Sequence, residues 1–271
     1  MGKTQIRVGL LGFGTVGSAF ASLLERQRSD IAARTGLEIF ISQIAVRDIT
    51  KERPNLDAKV TLTDEPHTVV TSSEVDVVVE LVGGLDPSKD LIENALREGK
   101  PVITANKELL SKDGKNLFSI ADQNEVDLLF EAAVAGGVPL IRVLRESLLG
   151  EPVEKVIGIV NGTTNYILSQ MEEKGVPYDD ALLEAQQLGY AESDPTADVT
   201  GQDAASKAAI IAMVAFGADI CFDDVLFEGI EDITSSDMAF AQKAGATIKL
   251  LAMVTKSDDE IEARVYPAML P

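Results

Sequence analysis

Two stretches of the sequence carry residue types whose spacing suits chemistry. Near the N-terminus, Gly12-Phe13-Gly14-Thr15-Val16-Gly17 fits the pattern G-x-G-x-x-G, behind an apolar run and ahead of a helical one, where its mechanism needs it. The first glycine permits a tight turn, the second lets backbone approach a pyrophosphate, and the third lets a helix close on a strand. N–H groups at the start of that helix then meet phosphate charge. In the second half, Asp203 and Lys207 stand four residues apart and so share one face of a helix. Flanking Ala204, Ala205, Ala208, Ala209 and Ile210 point to a buried helix rather than to an ordinary surface pair.

The segment that ends the second strand of a dinucleotide fold reads the adenosine ribose, and here it is Val46-Arg47-Asp48. Asp48 can accept from a 2′-hydroxyl, whereas Arg47 can pair with a 2′-phosphate. Lys51 and Lys59 add positive charge nearby, so the balance leans to NADP with NAD tolerated.

These residues need elements to hold them. Ile6 to Gly12 is a short apolar run of buried-strand type that passes into a helical pattern carrying Val16, Phe20, Leu23 and Leu24. Further strands are expected over 37–46, 75–81, 101–104 and 127–130, with amphipathic helices over 88–98 and 116–123. Alternating strands and helices imply an α/β, Rossmann-like, doubly wound parallel sheet. After Phe130 the rhythm changes. Glu131 to Pro139 is small and glycine-rich, and it precedes a helix expected over 140–149. The spacing places a dinucleotide-binding domain at 1–133 and a second domain at 134–271. The second half carries expected strands over 153–160, 247–255 and 261–266 and helices over 165–173, 178–188 and 204–216. That is an α+β domain with a mixed sheet and helices on one face.

Composition narrows the partners. The chain has 271 residues, and 24 Lys and Arg against 44 Asp and Glu give a formal charge of -20, which argues against general affinity for nucleic acid or anionic membrane. Apolar stretches are too short or interrupted to span a bilayer, and the first residues lack the pattern of a secretory signal. One cysteine, Cys221, cannot form an internal disulfide, so a reducing, cytoplasmic setting is expected. His67 and Cys221 match no functional pattern and are read as structural.

Taken together, GLLGFGTVG, VVVELVGG, TANKELL, EAAVAGGVPLI, GIVNGTTNYIL and GYAESDPTADVTGQDAASKAAI, in this order from Ile6 to Ile211, resemble the homoserine dehydrogenase family. The resemblance implies an NAD(P)-dependent oxidoreductase that reduces L-aspartate 4-semialdehyde to L-homoserine, on the route to threonine, methionine and isoleucine, and that works as a homodimer. It implies that Lys207 is the proton donor and acceptor, with Lys107 near nicotinamide and substrate. An aldehyde that receives hydride becomes an alkoxide, and an ammonium held against its oxygen supplies both charge and proton. Glu192 and Asp203, and more weakly Asp198, match substrate ligands, as an α-ammonium group requires carboxylates. Gly189 matches a backbone contact to the cofactor, and Asn161 to Asn165 a segment orienting the substrate side. Glu131, Val134, Gly136 and Val138 match positions that hold a monovalent cation, sodium in usual descriptions, although a Gly-Gly turn explains the same residues structurally. The family continues beyond the position of Pro271 with a segment that completes the catalytic sheet, so the resemblance also implies a shortened chain. A catalytically silent NAD(P)-binding module is the alternative. Aspartate-semialdehyde dehydrogenase, which shares cofactor and metabolite, needs a reactive thiol, and the acids around Cys221 oppose one.

Overall fold

The computed structural model describes residues 4–53, 56–258 and 260–271. The chain divides into two compact units, Met1–Ala133 and Val134–Pro271.

In the first unit six strands form one sheet in the order β3-β2-β1-β4-β5-β6, all parallel. They are β1 (Gln5–Leu11), β2 (Glu38–Ala45), β3 (Thr61–Thr63), β4 (Val77–Glu80), β5 (Val102–Thr104) and β6 (Leu128–Leu129). Near-continuous apolar runs suit strands covered on both faces, and Val8, Leu10, Ile44 and Val79 form a buried cluster across β1, β2 and β4. The helices are α1 (Thr15–Thr35), α2 (Pro66–Thr71), α3 (Ser88–Arg97) and α4 (Lys107–Gln123). The chain winds outward from β1 through β2 to β3, then returns to the other side of β1 at β4. The order reverses there, and the loops after β1 and β4 face each other at the carboxyl ends of the strands, where open α/β sheets bind ligands.

The second unit holds a mixed sheet in the order β7-β9-β10-β8, from β7 (Lys155–Gly158), β8 (Leu226–Phe227), β9 (Thr247–Ser257) and β10 (Glu260–Leu270). Of its paired neighbours only β8 and β10 are parallel, and β9 runs against the other three strands. Its helices are α5 (Gly162–Lys174), α6 (Tyr178–Gln187), α7 (Thr196–Val199), α8 (Gln202–Phe216) and α9 (Ser235–Lys243). Small side chains on nearly every side of α8 let it lie against β9 and β10, and Ala204, Ala205, Ala208, Ala209 and Ile210 are all buried. The sheet face that carries Ala252, Val254, Ala263 and Val265 is buried, while the opposite face leaves Ile157 50% and Leu226 66% exposed.

Several elements differ from expectation. β3, α2, β8 and α9 carry too few periodic residues to announce themselves. α4 begins at Lys107 rather than near residue 116, because Gly114 interrupts its pattern without breaking it. The expected helix over 140–149 contains a wide turn over Val143–Ser147, in which Leu148 N–H donates to the Val143 carbonyl five residues back. β10 runs through Pro267 to Leu270, beyond the expected end at 266.

Candidate active site

The three glycines of the loop after β1 do different work. Gly12 has φ +94°, and a Cβ there would come within 2.9 Å of the Leu81 carbonyl, so the turn and the approach of the β4 loop both need glycine. A Cβ on Gly17 would stand 2.4 Å from the Gly12 carbonyl, which closes the first turn of α1 onto the loop. Gly14 differs, because nothing lies within 4 Å of the position a Cβ would take. That open space lies at the start of α1, which has no side-chain cap and no acidic residue in its first turn. Uncapped N–H groups beside an open cradle fit a dinucleotide pyrophosphate. Phe13, Thr15 and Val16 complete the loop, with Val16 58% exposed.

Opposite this loop the β4 end is built on a carboxylate that sequence reasoning missed. Glu80 is fully buried; Oε1 accepts from the N–H groups of Val82 (2.8 Å) and Gly83 (2.9 Å) and from the Ser88 hydroxyl (3.2 Å). Its Oε2 accepts from the Thr104 hydroxyl at 2.6 Å. Thr104 Oγ1 in turn accepts from Asn106 N–H at 3.0 Å, and the Asn106 amide donates to the Gly84 carbonyl at 2.7 Å while its oxygen caps Leu109 N–H at 3.1 Å. One buried network thus sets the Val82-Gly83-Gly84 loop and the N-terminus of α4, where Lys107 is the first residue. Glu80→Ala would take the acceptor from the buried Thr104 hydroxyl and from the part-buried N–H groups of Val82 and Gly83, while the Ser88 hydroxyl keeps the Gly83 carbonyl at 2.9 Å; a buried donor left unsatisfied costs about 1–3 kcal/mol. A loss of about 3–5 kcal/mol is expected in urea unfolding of the chain. A loss below about 1 kcal/mol, the range of an ordinary surface substitution, would show that the network does not hold this end of the sheet.

Arg47 is exposed at the end of β2 and has no side-chain partner among the described residues. Asp48 is spent on its own loop: Oδ1 accepts from the Thr50 N–H at 2.8 Å and hydroxyl at 2.6 Å, and these bonds hold its carboxyl below the usual carboxylate range. Lys59 does not join Lys51; it lines a separate cavity with Gln5, Arg28 and Glu38.

In the second unit the structure brings Lys207, Asp203 and Asp198 together through Asn161. Lys207 Nζ donates to Asp203 Oδ2 at 2.6 Å and to the Val160 carbonyl at 2.7 Å. The Asn161 amide donates to Asp203 Oδ2 at 2.8 Å and to Asp198 Oδ1 at 2.6 Å, and its oxygen accepts from Thr164 N–H at 2.8 Å as the cap of α5. An ammonium has three N–H donors, so Lys207 keeps one for a substrate oxygen. Asn161 separates two carboxylates that would repel, and one cation against two anions leaves the cluster attractive to a further cation. Asp203 is 4% exposed, so its carboxylate orients the lysine from below.

Glu192 is exposed, with no partner for its carboxylate among the described residues. Its segment is tied to the same helix start, because the Thr163 hydroxyl donates to the Tyr190 carbonyl at 2.7 Å. Gly189 closes α6 with φ +79° and has open space at its α-carbon. In the Glu131-to-Val138 stretch, Glu131 opens a short 3-10 turn, Val134 is buried, Gly136 precedes Gly137 at φ +88°, and Val138 is exposed. Among the described residues no group of three His, Cys, Asp or Glu could hold a metal ion. Cys221 caps the 3-10 turn over Phe222–Asp224, and His67 Nε2 lies 3.3 Å from Asp90. No described helix is long and apolar enough to cross a membrane.

Comparison with known proteins assigns both units to one family. Residues 12–131 match the family model for the homoserine dehydrogenase NAD binding domain, and residues 139–271 match the homoserine dehydrogenase model. The homoserine dehydrogenase of Corynebacterium glutamicum is 46% identical over 273 residues, covering 99% of this chain and 61% of that protein. The Bacillus subtilis protein is 42% identical over 266 residues, with 98% and 61% covered. The chain therefore spans about three fifths of the length of the curated relatives it matches. Among solved structures, a homoserine dehydrogenase from Thiobacillus denitrificans superposes with TM-score 0.93 at 45% identity, over 98% of this chain and 62% of that one. A hyperthermophilic archaeal homoserine dehydrogenase in complex with NADPH gives TM-score 0.81 at 28% identity, over 98% of this chain and 82% of that one. Both units thus match one family, and the chain belongs to the homoserine dehydrogenase family.

Proposed function

We propose that this chain carries the cofactor-holding and substrate-holding parts of an enzyme that reduces L-aspartate 4-semialdehyde to L-homoserine, reversibly, in threonine, methionine and isoleucine biosynthesis. The observation that carries the reading is the Lys207 ammonium, fixed by Asp203 and the Val160 carbonyl with one N–H left over.

When bound, a nicotinamide cofactor would supply the hydride for the carbonyl carbon. The chain does the rest. Gly12, Phe13, Gly14, Thr15, Val16 and Gly17 receive the pyrophosphate, and the basic loop after β2, with Arg47, favours NADP over NAD because Asp48 is already committed. Lys107 and Gly189 are assigned to the cofactor as well. As negative charge grows on the substrate oxygen, Lys207 offsets it and delivers a proton from Nζ, leaving the alcohol and a neutral amine that reprotonates from solvent. Glu192 and Asp198 face the substrate's α-ammonium group, with Asp203 adding charge behind the lysine. Glu131 and the carbonyls of Val134, Gly136 and Val138 are assigned to a monovalent cation such as Na+, since hard oxygen donors with a single carboxylate suit a singly charged ion. It would brace the turn they form. A cytoplasmic homodimer is the assembly we propose, supported by the open apolar face at Ile157 and Leu226. The test is NADPH consumption on addition of L-aspartate 4-semialdehyde. Turnover that requires the semialdehyde supports the reading, and NADPH binding without turnover favours a silent cofactor module.

A further inference from the structure

The segment that carries Glu192 is pinned along its backbone from two helices. The N–H groups of Tyr190 and Ala191 both donate to the Ala185 carbonyl near the end of α6, at 2.8 and 3.1 Å. The Thr163 hydroxyl, in the first turn of α5, donates to the Tyr190 carbonyl at 2.7 Å, and the Gln186 amide donates to the Glu192 carbonyl at 3.1 Å. The Tyr190 side chain is held in another way. Its ring is 57% exposed and lies flat on the ring of Tyr166, with centroids 4.5 Å apart and planes 24° from parallel.

Tyr166 is itself fixed. Its hydroxyl donates to Glu184 Oε1 at 3.0 Å, and Lys174 Nζ donates to both oxygens of Glu184, at 2.6 and 2.8 Å. Lys174 first and Tyr166 second hold the Glu184 carboxyl below the usual carboxylate range. Burial first and Glu184 second push the Tyr166 hydroxyl up, so the acceptor stays charged and the donor keeps its proton. A half-exposed ion pair of this kind adds little to stability, but it orients the ring it is bonded to. That ring can then select one rotamer of an exposed neighbour by stacking. The helix that carries Tyr166 also begins at Asn161, the residue that joins Asp198 to Asp203, so one helix serves both the lysine cluster and the Glu192 segment.

We propose that Tyr166, oriented by Glu184 and Lys174, is a positioning residue whose ring fixes Tyr190 and so aims the Glu192 carboxylate at the α-ammonium group of the substrate. The proposal rests on the reading that Glu192 meets that group. Tyr166 acts through Tyr190, two residues before Glu192, and its effect falls on recognition of the ammonium rather than on proton transfer.

The experiment is calorimetric titration of L-homoserine into the chain with NADPH present, a pair that cannot react because both are already reduced. Tyr166→Leu should raise the L-homoserine Kd about threefold to tenfold, the scale of a lost aromatic pair, and Tyr190→Leu should match it. Tyr166→Phe keeps a ring in place and should stay closer to wild type than to Tyr166→Leu. In the Glu192→Gln background, adding either leucine substitution should cost less than about twofold more, because the group being aimed has lost its charge. The chain has four tyrosines and no tryptophan, so near-ultraviolet circular dichroism reads the stack, and Tyr166→Leu and Tyr190→Leu should remove the same coupled signal. If Tyr166→Leu does not fold, Tyr190→Leu at its exposed position carries the same comparison. Unchanged L-homoserine affinity in the leucine variants, or equal losses with and without Glu192→Gln, would overturn the proposal. A Glu192→Gln chain that binds L-homoserine as tightly as wild type, or a wild-type chain that does not bind it, would instead overturn the reading of Glu192 and the proposal with it.

Discussion

Lys207→Ala is expected to lower kcat by roughly a hundredfold or more, the scale of losing a general acid, with NADPH affinity nearly unchanged. The geometry explains why the loss should be chemical. Lys207 Nζ is held at 2.6 Å by Asp203 and at 2.7 Å by the Val160 carbonyl, so the proton it offers is aimed rather than mobile. Alanine removes the donor and leaves Asp203 and Asn161 in place. Glu192→Gln provides the contrast. It keeps the shape of an exposed side chain but removes the charge that we propose faces an α-ammonium, so KM should rise at least as much as kcat falls. If Lys207→Ala keeps more than about a third of wild-type kcat, this lysine is not the acid, and Lys107 becomes the preferred candidate.

The second large effect is expected at the glycine loop. Gly14→Val should abolish cofactor binding while the chain stays folded, because nothing within 4 Å opposes a side chain there except the ligand whose space it takes. Gly17→Ala should behave differently. Its Cβ would lie 2.4 Å from the Gly12 carbonyl, so the loop must shift before any ligand arrives and stability falls along with affinity. Circular dichroism and NADPH titration on the two variants separate the effects. Near-normal NADPH affinity in folded Gly14→Val would refute the pyrophosphate assignment.

The features that local pattern governs were legible in the sequence. An apolar run ahead of G-x-G-x-x-G marks β1 and α1, and the alanine-rich flanks of Asp203 and Lys207 mark a buried helix that presents both on one face. What remained hidden depends on chain folding back over distance. Asn161 joins carboxylates 37 and 42 residues away, and no spacing along the chain signals that. Glu80 in the run Val77-Val78-Val79-Glu80 reads as a strand end, yet its partners reach to Thr104, 24 residues on. In the basic loop, sequence proximity grouped Arg47, Lys51 and Lys59, but the turn made by Asp48 and Thr50 folds Arg53 over Phe13 and leaves Lys59 in another cavity. β3 and β8 were missed for a simpler reason: strands of two or three residues owe their existence to the neighbour they pair with.

The most direct test of the central claim follows a label from cofactor to product. NADPH carrying two deuterium atoms at nicotinamide C4 is incubated with the chain and L-aspartate 4-semialdehyde, and the product is analysed by mass spectrometry and NMR. Deuterium at C4 of L-homoserine, formed with the chain and formed roughly a hundredfold or more slowly in Lys207→Ala, is the predicted result. Homoserine without the label, or bound NADPH that never reduces the semialdehyde, would contradict the account.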